Sequence, residues 1–287
     1  MTGNIILCAD DFALTDGVSR GIGELARAGR LSAASVLVNG RHWPAHAAQL
    51  QALRDRIAVG LHFNLTLGRP LGDMPWLCPQ GAFPPVGAVV RSSLARHIDS
   101  QEIESEFARQ LDAFEAGLGA PPDFIDGHQH VHALPVVRTA VLGVLKRRYG
   151  GRPMLVRDPA DTAAAILGRS AAVKKSLVLA TLARGFGDAV KAAGFIANTS
   201  FSGVSAFDER KSYRTELDRF FLLPTACHLV MCHPGFVDDE LPTLDPVVGR
   251  RLDELSVLKG YEGLPELIWH PSRGPDGIIR WPVASHD

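Results

Sequence analysis

Short apolar runs alternating with helix-period segments constrain this chain more than any other feature. "NIILCAD" reads as a strand, and "GVSRGIGELARAG" then sets Val18, Ile22, Leu25 and Ala26 on one helical face that stops at Gly29. "LSAASVLVN" and "AHAAQLQALRD" repeat the pair, and "RIAVGLHFNL" supplies a third strand. Residues 68–93 are rich in Gly and Pro and read as one long loop, of the kind that forms lids or substrate-binding segments. The amphipathic "SQEIESEFARQLDAFEAGLG" follows, with Ser100 as its expected N-cap and Gly117 or Gly119 near its end. "DFIDGHQHVH", "PMLVRDP", "FIANTSF" and "CHLVMCHPG" read as strands four to seven. Between them lie a helix ending in Lys146, Arg147 and Arg148 and a mostly helical stretch over 161–194, broken near Gly185 and Gly187. A helix at "PVVGRRLDELSVLKG" comes last, before a tail over 264–287 with "GIIRWPVA" as a final strand.

A strand that returns parallel to its predecessor needs a crossover long enough for a helix, so this alternation requires a parallel α/β architecture. The unit either closes into a barrel or stays an open, doubly wound sheet. No stretch rich in Pro, Gly or Ser divides the 287 residues, and one domain over 1–287 is expected. Thirty basic against 31 acidic side chains leave a net charge of −1, which gives no reason to expect a nucleic-acid or membrane surface. The start "MTGNIILCADD" reads as a first strand rather than a signal peptide, and no apolar run is long enough to span a bilayer. Four cysteines, Cys8, Cys78, Cys227 and Cys232, are too few for a disulfide framework and point to a reducing cytoplasm.

Polar residues gather where these strands end. Strand one ends in Asp10-Asp11, strand three in His62 and Asn64, strand four in Asp126, His128, His130 and His132, and strand seven in His233. In a parallel α/β fold all these ends lie on one face, where active sites are built. Adjacent buried carboxylates repel one another and are costly without a positive partner, and a divalent metal supplies one. One carboxylate with two neutral imidazoles leaves coordination positions open for water, and the second Asp then sits beside that water as a base. Successive strand residues point to opposite sides, so both Asp side chains face one cavity only if the chain turns at Asp11.

Each piece also has an ordinary structural reading. Asp10-Asp11 alone suits a helix cap or a solvated turn, and His62 alone suits a hydrogen-bonded histidine near the core. Along a strand Asp126, His128, His130 and His132 share one face, an expensive arrangement without a chemical use. A structural zinc at "CHLVMCHPG" lacks a second cysteine pair. Phe12, Trp43 and Trp76 read as packing, with Trp76 a lesser candidate for a sugar platform.

"ADDFA", "VGLHFNLTLG", "DGHQHVH" and "CHPG", in this order, resemble the signature motifs of the YdjC-like carbohydrate deacetylases, a family that includes chitooligosaccharide deacetylases. The resemblance covers roughly residues 4–260; Ala13 stands where the family usually has Gly. It implies a distorted TIM-like barrel and hydrolysis of an N-acetyl group from an amino sugar with one divalent metal ion, Mg or Zn. By position, Asp11, His62 and His128 correspond to the metal ligands, Asp10 to the base and His233 to the acid. Asn64, Asp126, His130, His132 and Arg157 are left to bind substrate or to steady the ligands. Family members are often dimers, so the resemblance admits a homodimer.

Two other readings compete. The pair His128 and His130 would also suit an amidohydrolase or a phosphoesterase, although amidohydrolases usually carry such a pair on the first strand. A sugar-binding or metal-binding module would explain the ligands but not a spare acid beside them.

Overall fold

A computed structural model describes residues 5–282. The strands are β1 (Ile5–Phe12), β2 (Ala33–Val36), β3 (Ala58–Phe63), β4 (Phe124–Gly127), β5 (Leu155–Val156), β6 (Ser200–Ser202) and β7 (His228–Cys232). The first helices are α1 (Asp16–Arg27), α2 (Trp43–Gln51), α3 (Val86–Leu94), α4 (Ser100–Leu118) and α5 (Val137–Tyr149). There follow α6 (Ala163–Arg169), α7 (Val173–Leu182), α8 (Phe186–Ala192), α9 (Tyr213–Phe220), α10 (Leu241–Leu244), α11 (Gly249–Gly260) and α12 (Leu264–Leu267).

The seven strands form one sheet in the order β5-β4-β3-β2-β1-β7-β6, and every neighbouring pair is parallel. The two edges nearly meet. Ile196 bridges to Leu155 of β5, and four residues later the same segment becomes β6 against β7. The sheet is thus a curled, distorted barrel whose last seam is a single short bridge, as the alternation of elements requires.

Period-two side-chain alternation divides the barrel interior into layers. Inward positions near the strand starts are apolar: Ile6 and Cys8 on β1, Ala33 on β2, Ala58 on β3, Phe124 on β4, Leu155 on β5, Leu229 on β7. Outward positions such as Leu7, Val59 and Ile125 pack against the helices in a second core. Continuing the inward parity toward the strand ends gives Asp10, Ser35, His62, Asp126, Arg157 and His233. The same alternation that fills the bottom with hydrocarbon therefore puts a polar layer on top.

Several local expectations need correction. The N-cap of α4 is Asp99, whose carboxylate accepts from the amides of Gln101 and Glu102, and Ser100 is the first helical residue. Residues 68–93 are not all loop, because α3 begins at Val86. The tail forms no final strand among the described residues. Arg273 and Ile279 make one antiparallel bridge, Trp269 stacks on Trp281, and Trp281 meets Phe124, so the tail plugs the barrel bottom. The end of the expected strand, from residue 283, lies outside the described residues.

Strand four departs furthest from expectation. It stops at Gly127, and residues 128–133 form a tight turn in which Gln129 and His130 both take left-handed backbone conformations. Period two fails beyond His128, and the three histidines do not share one face, because His132 turns away from the other two to the Arg157 carbonyl.

Candidate metal centre and its charged support

The acid pair is presented by an irregular strand end. The β1–β2 register shifts between Ala9 and Phe12, and Asp11 has φ 69°. Asp10 faces inward by parity; the left-handed residue after it swings Asp11 to the same side, as two carboxylates in one cavity demand. Ala13 also sits at φ 69°, a conformation in which glycine is unstrained and alanine is not.

Asp11 Oδ1 lies 3.0 Å from His128 Nδ1 and 3.3 Å from His62 Nε2. The two rings stand 5.4 Å apart, edge to face. Three potential ligand atoms from three strand ends thus lie within reach of one another. Their outer contacts orient them. Asp126 Oδ1 sits 2.7 Å from His62 Nδ1, with Ser35 Oγ 3.0 Å away, and Arg251 donates to Asp11 Oδ2 at 2.6 Å. With the His62 Nδ1 proton held by Asp126, Nε2 is left with its lone pair toward Asp11, the tautomer a metal ligand needs. The residues present fit a divalent cation: one anionic oxygen and two imidazole nitrogens, with no fourth protein donor in the group.

Asp10 is differently placed. Arg157 donates to both of its oxygens at 2.6 Å and also pairs with Asp126 Oδ2 at 2.6 Å, while Ser35 Oγ donates to Asp10 Oδ1 at 3.2 Å. All three charged side chains are essentially sealed from solvent. Burial pushes the Asp10 carboxyl up, but the Arg157 guanidinium overrides it and holds Asp10 well below the usual carboxylate range. Burial likewise opposes ionisation of Asp11, and Arg251, then His128, reverse that effect. For His62 burial favours the neutral ring, yet Asp126 and Asp10, together with Asp11, push its pKa up to about 10. The carboxylates therefore demand positive charge at the gap between His62 and Asp11, whether from a proton or from a metal ion.

These groups open into a cavity of about 450 Å³ that Asp10, Asp11, His62, His128, His130 and His233 share. Its walls are apolar, with Val90 of α3, Leu134, Leu179 of α7, Phe207 and Met231 among them. His233 follows β7 inward; its backbone N–H donates to the buried Glu254 carboxylate at 2.5 Å, and its ring meets Phe207 edge to face. Burial lowers the pKa of His233 to about 4 against the opposing pull of Asp11 and Asp10. Glu254 is pushed up to about 8, chiefly by burial.

The remaining expected residues divide. Asp126 and Arg157 hold the ligand and the second acid. His130 lines the cavity and has a buried Nδ1 with no partner among the described residues. Two others do not reach the cavity. Asn64 uses its side chain on the loop, bonding Leu67 and Asn39 and accepting from Thr66 and Leu67, and His132 turns away to the Arg157 carbonyl at 2.8 Å. Phe12 and Trp43 are core, and Trp76 lies exposed outside the cavity. The "CHLVMCHPG" histidine His228 is bonded to Ser200, Ser202 and the Phe220 carbonyl, and all four cysteines are free thiols. Ser35, Arg251, Glu254 and Asp245, which pairs with Arg251, were not anticipated. Only Ser35 had a visible signal, a polar residue within an apolar strand.

A sequence profile of the YdjC-like proteins matches residues 4–265. The chain belongs to the YdjC-like family. A chitooligosaccharide deacetylase of Klebsiella pneumoniae is 31% identical over 255 residues, covering 88% of this chain and 90% of that protein. Its counterpart in Serratia marcescens is 30% identical over 260 residues, covering 86% and 94%. One from Escherichia fergusonii reaches 38% identity over 134 residues, spanning 46% of this chain and about half, 52%, of that relative. A solved Enterococcus faecalis protein proposed to cleave cellobiose phosphate shares the fold, with a TM-score of 0.66 at 20% identity over 91% of this chain and 92% of that one.

Proposed function

We propose that this chain hydrolyses the N-acetyl group of acetylated amino sugars of the chitooligosaccharide type, with one divalent ion, Mg or Zn, held by Asp11, His62 and His128. The observation that carries the reading is the convergence of Asp11 Oδ1 with His62 Nε2 and His128 Nδ1, at 3.3 and 3.0 Å, beside a second carboxylate that is kept ionised for another task. The names of the relatives from Klebsiella and Serratia support the substrate class.

When bound, the ion supplies Lewis-acid polarisation of the acetamide carbonyl and of the attacking water. The protein's own groups do the rest. Arg157 keeps Asp10 anionic, so Asp10 is ready to accept the water proton as the C–O bond forms, and the same ion pair prevents it from storing that proton. His233 is neutral at pH 7, so one ring nitrogen carries a free lone pair; it takes the proton in transit and delivers it to the departing amine nitrogen, which leaves poorly as an anion. His130 lines the cavity beside these groups. The apolar walls exclude water and strengthen these charge interactions. No helix among the described residues is long and apolar enough to cross a membrane.

The test is acetate release from N-acetylglucosamine oligomers by protein stripped with chelator and then reloaded with Mg²⁺ or Zn²⁺. Activity that returns with the ion supports the proposal; an inert reloaded protein across a panel of acetylated sugars contradicts it. Asp10→Asn is expected to keep its ion and lose activity, and loss of the ion from that variant would overturn the division of roles.

A further inference from the structure

A second cluster of metal-ligating side chains lies outside this cavity. Asp16 is the first residue of α1, His42 directly precedes α2, and His46 lies in its first turn. Asp16 Oδ1 is 3.0 Å from His42 Nδ1 and 2.7 Å from His46 Nε2. The two rings are only 14% and 16% exposed, while the Asp16 side chain is 73% exposed. The far nitrogen of each ring is occupied too: His42 Nε2 lies 2.7 Å from Glu240 Oε2, and His46 Nδ1 lies 3.2 Å from Gln49 Oε1. Arg41 pairs with the same Glu240 oxygen at 2.8 Å.

A neutral imidazole has one N–H and one lone pair. If each ring gives its N–H to the outer oxygen, both inner lone pairs point at an anionic carboxylate oxygen. The opposite tautomer of His42, which accepts from Arg41 Nε at 3.3 Å, sets its lone pair against Glu240 instead, so in either neutral form acceptor faces acceptor at His42, and positive charge there, a proton or an ion, makes the arrangement favourable. Two imidazoles four residues apart and a carboxylate are a zinc-type donor set, and an outer carboxylate on a ligating ring is the usual orienting contact. The cluster shares no residue with Asp11, His62 and His128.

We propose that Asp16, His42 and His46 form a second divalent-cation site of zinc-like preference that fastens together three segments of the barrel rim. Those segments are the start of α1, just after the strand end that carries Asp11, the start of α2, and, through Glu240, the stretch before α10. The ion completes its coordination with water on the exposed side of Asp16.

Equilibrium dialysis of the full chain against zinc at about pH 7.5, followed by counting bound metal, tests the proposal. The wild type is expected to bind two ions and Asp11→Asn one. His46→Gln and Asp16→Asn are each expected to lose one ion or to bind it at least tenfold more weakly. Asp16 is exposed, so its substitution does not endanger folding. A wild type with one ion that His46→Gln abolishes supports this site while contradicting the one in the cavity. Equal counts and affinities in wild type, His46→Gln and Asp16→Asn overturn the proposal and assign the positive charge to protonated imidazoles.

Discussion

Replacing Arg157 with methionine removes the guanidinium shared by Asp10 and Asp126 in a sealed interior. Methionine keeps much of the volume, so the loss is chiefly electrostatic. Breaking a buried ion pair on one side costs about 3–5 kcal/mol, because the remaining charge is desolvated without compensation. In the wild type Arg157 outweighs the burial that would raise the Asp10 pKa; in the variant that burial prevails and the pKa rises above its ordinary value. The sign follows. A carboxyl with a raised folded-state pKa destabilises fully above that pKa and progressively less as pH falls toward the ordinary value of about 3.9. The stability gap between variant and wild type is therefore largest at pH 7 and shrinks toward pH 5, by up to about 1.4 kcal/mol per pH unit for that carboxyl. Denaturant titrations of both chelated proteins at the two pH values measure it. A gap below about 1 kcal/mol at pH 7, or one that does not change with pH, refutes the reasoning.

Further outcomes follow from individual contacts. Asp126→Asn removes the anionic acceptor from His62 Nδ1 and is expected to weaken metal binding about 10–100-fold, read by dialysis against a metal buffer; unchanged affinity would mean His62 is not a ligand. His233→Ala is expected to keep the ion and lower kcat about 10²–10⁴-fold, measured by acetate release, and a drop in metal content instead would assign His233 to coordination. Ala13→Gly relieves a left-handed alanine and is expected to stabilise the fold by roughly 0.5–1 kcal/mol in denaturant titration, after the glycine's own entropy cost. His228 is held neutral, with burial lowering its pKa to about 4. Its contribution is complete above the ordinary value near 6.5 and is lost as pH falls from there to about 4, on the order of 3 kcal/mol. A His228→Gln variant is expected to lose that part of the acid slope, and an unchanged slope would contradict it.

The alternation of strand and helix was legible because a buried parallel strand is a compact apolar run and its crossover helix has a different period. That alternation fixed which strand ends share a face, and hence that Asp10, His62, Asp126 and His233 would meet. Period two carried these residues correctly because β1, β3 and β4 remain regular up to Asp10, His62 and Asp126. It failed at Asp11 on β1 and beyond His128 after β4. Asp11, Gln129 and His130 adopt left-handed backbones without being glycine, and residue type gives no warning of that. His132 consequently supports a backbone carbonyl, whereas His128 reaches Asp11. Arg251 and Glu254 stayed hidden for another reason: they look like the polar face of an ordinary helix, yet α11 turns them inward, where both are fully buried. Burial of a charged residue depends on tertiary packing, and amphipathic spacing in one helix does not report it.

Anomalous diffraction at the absorption edge of zinc, from crystals of protein reloaded with that ion, tests the central claim most directly. The account predicts a peak at about 2.0–2.2 Å from Asp11 Oδ1, His62 Nε2 and His128 Nδ1, typical of zinc with oxygen and imidazole ligands, with Asp10 still clasped by Arg157 and outside its coordination sphere. A cavity without a peak, or one whose ion is ligated by Asp10 in place of Asp11, would contradict it.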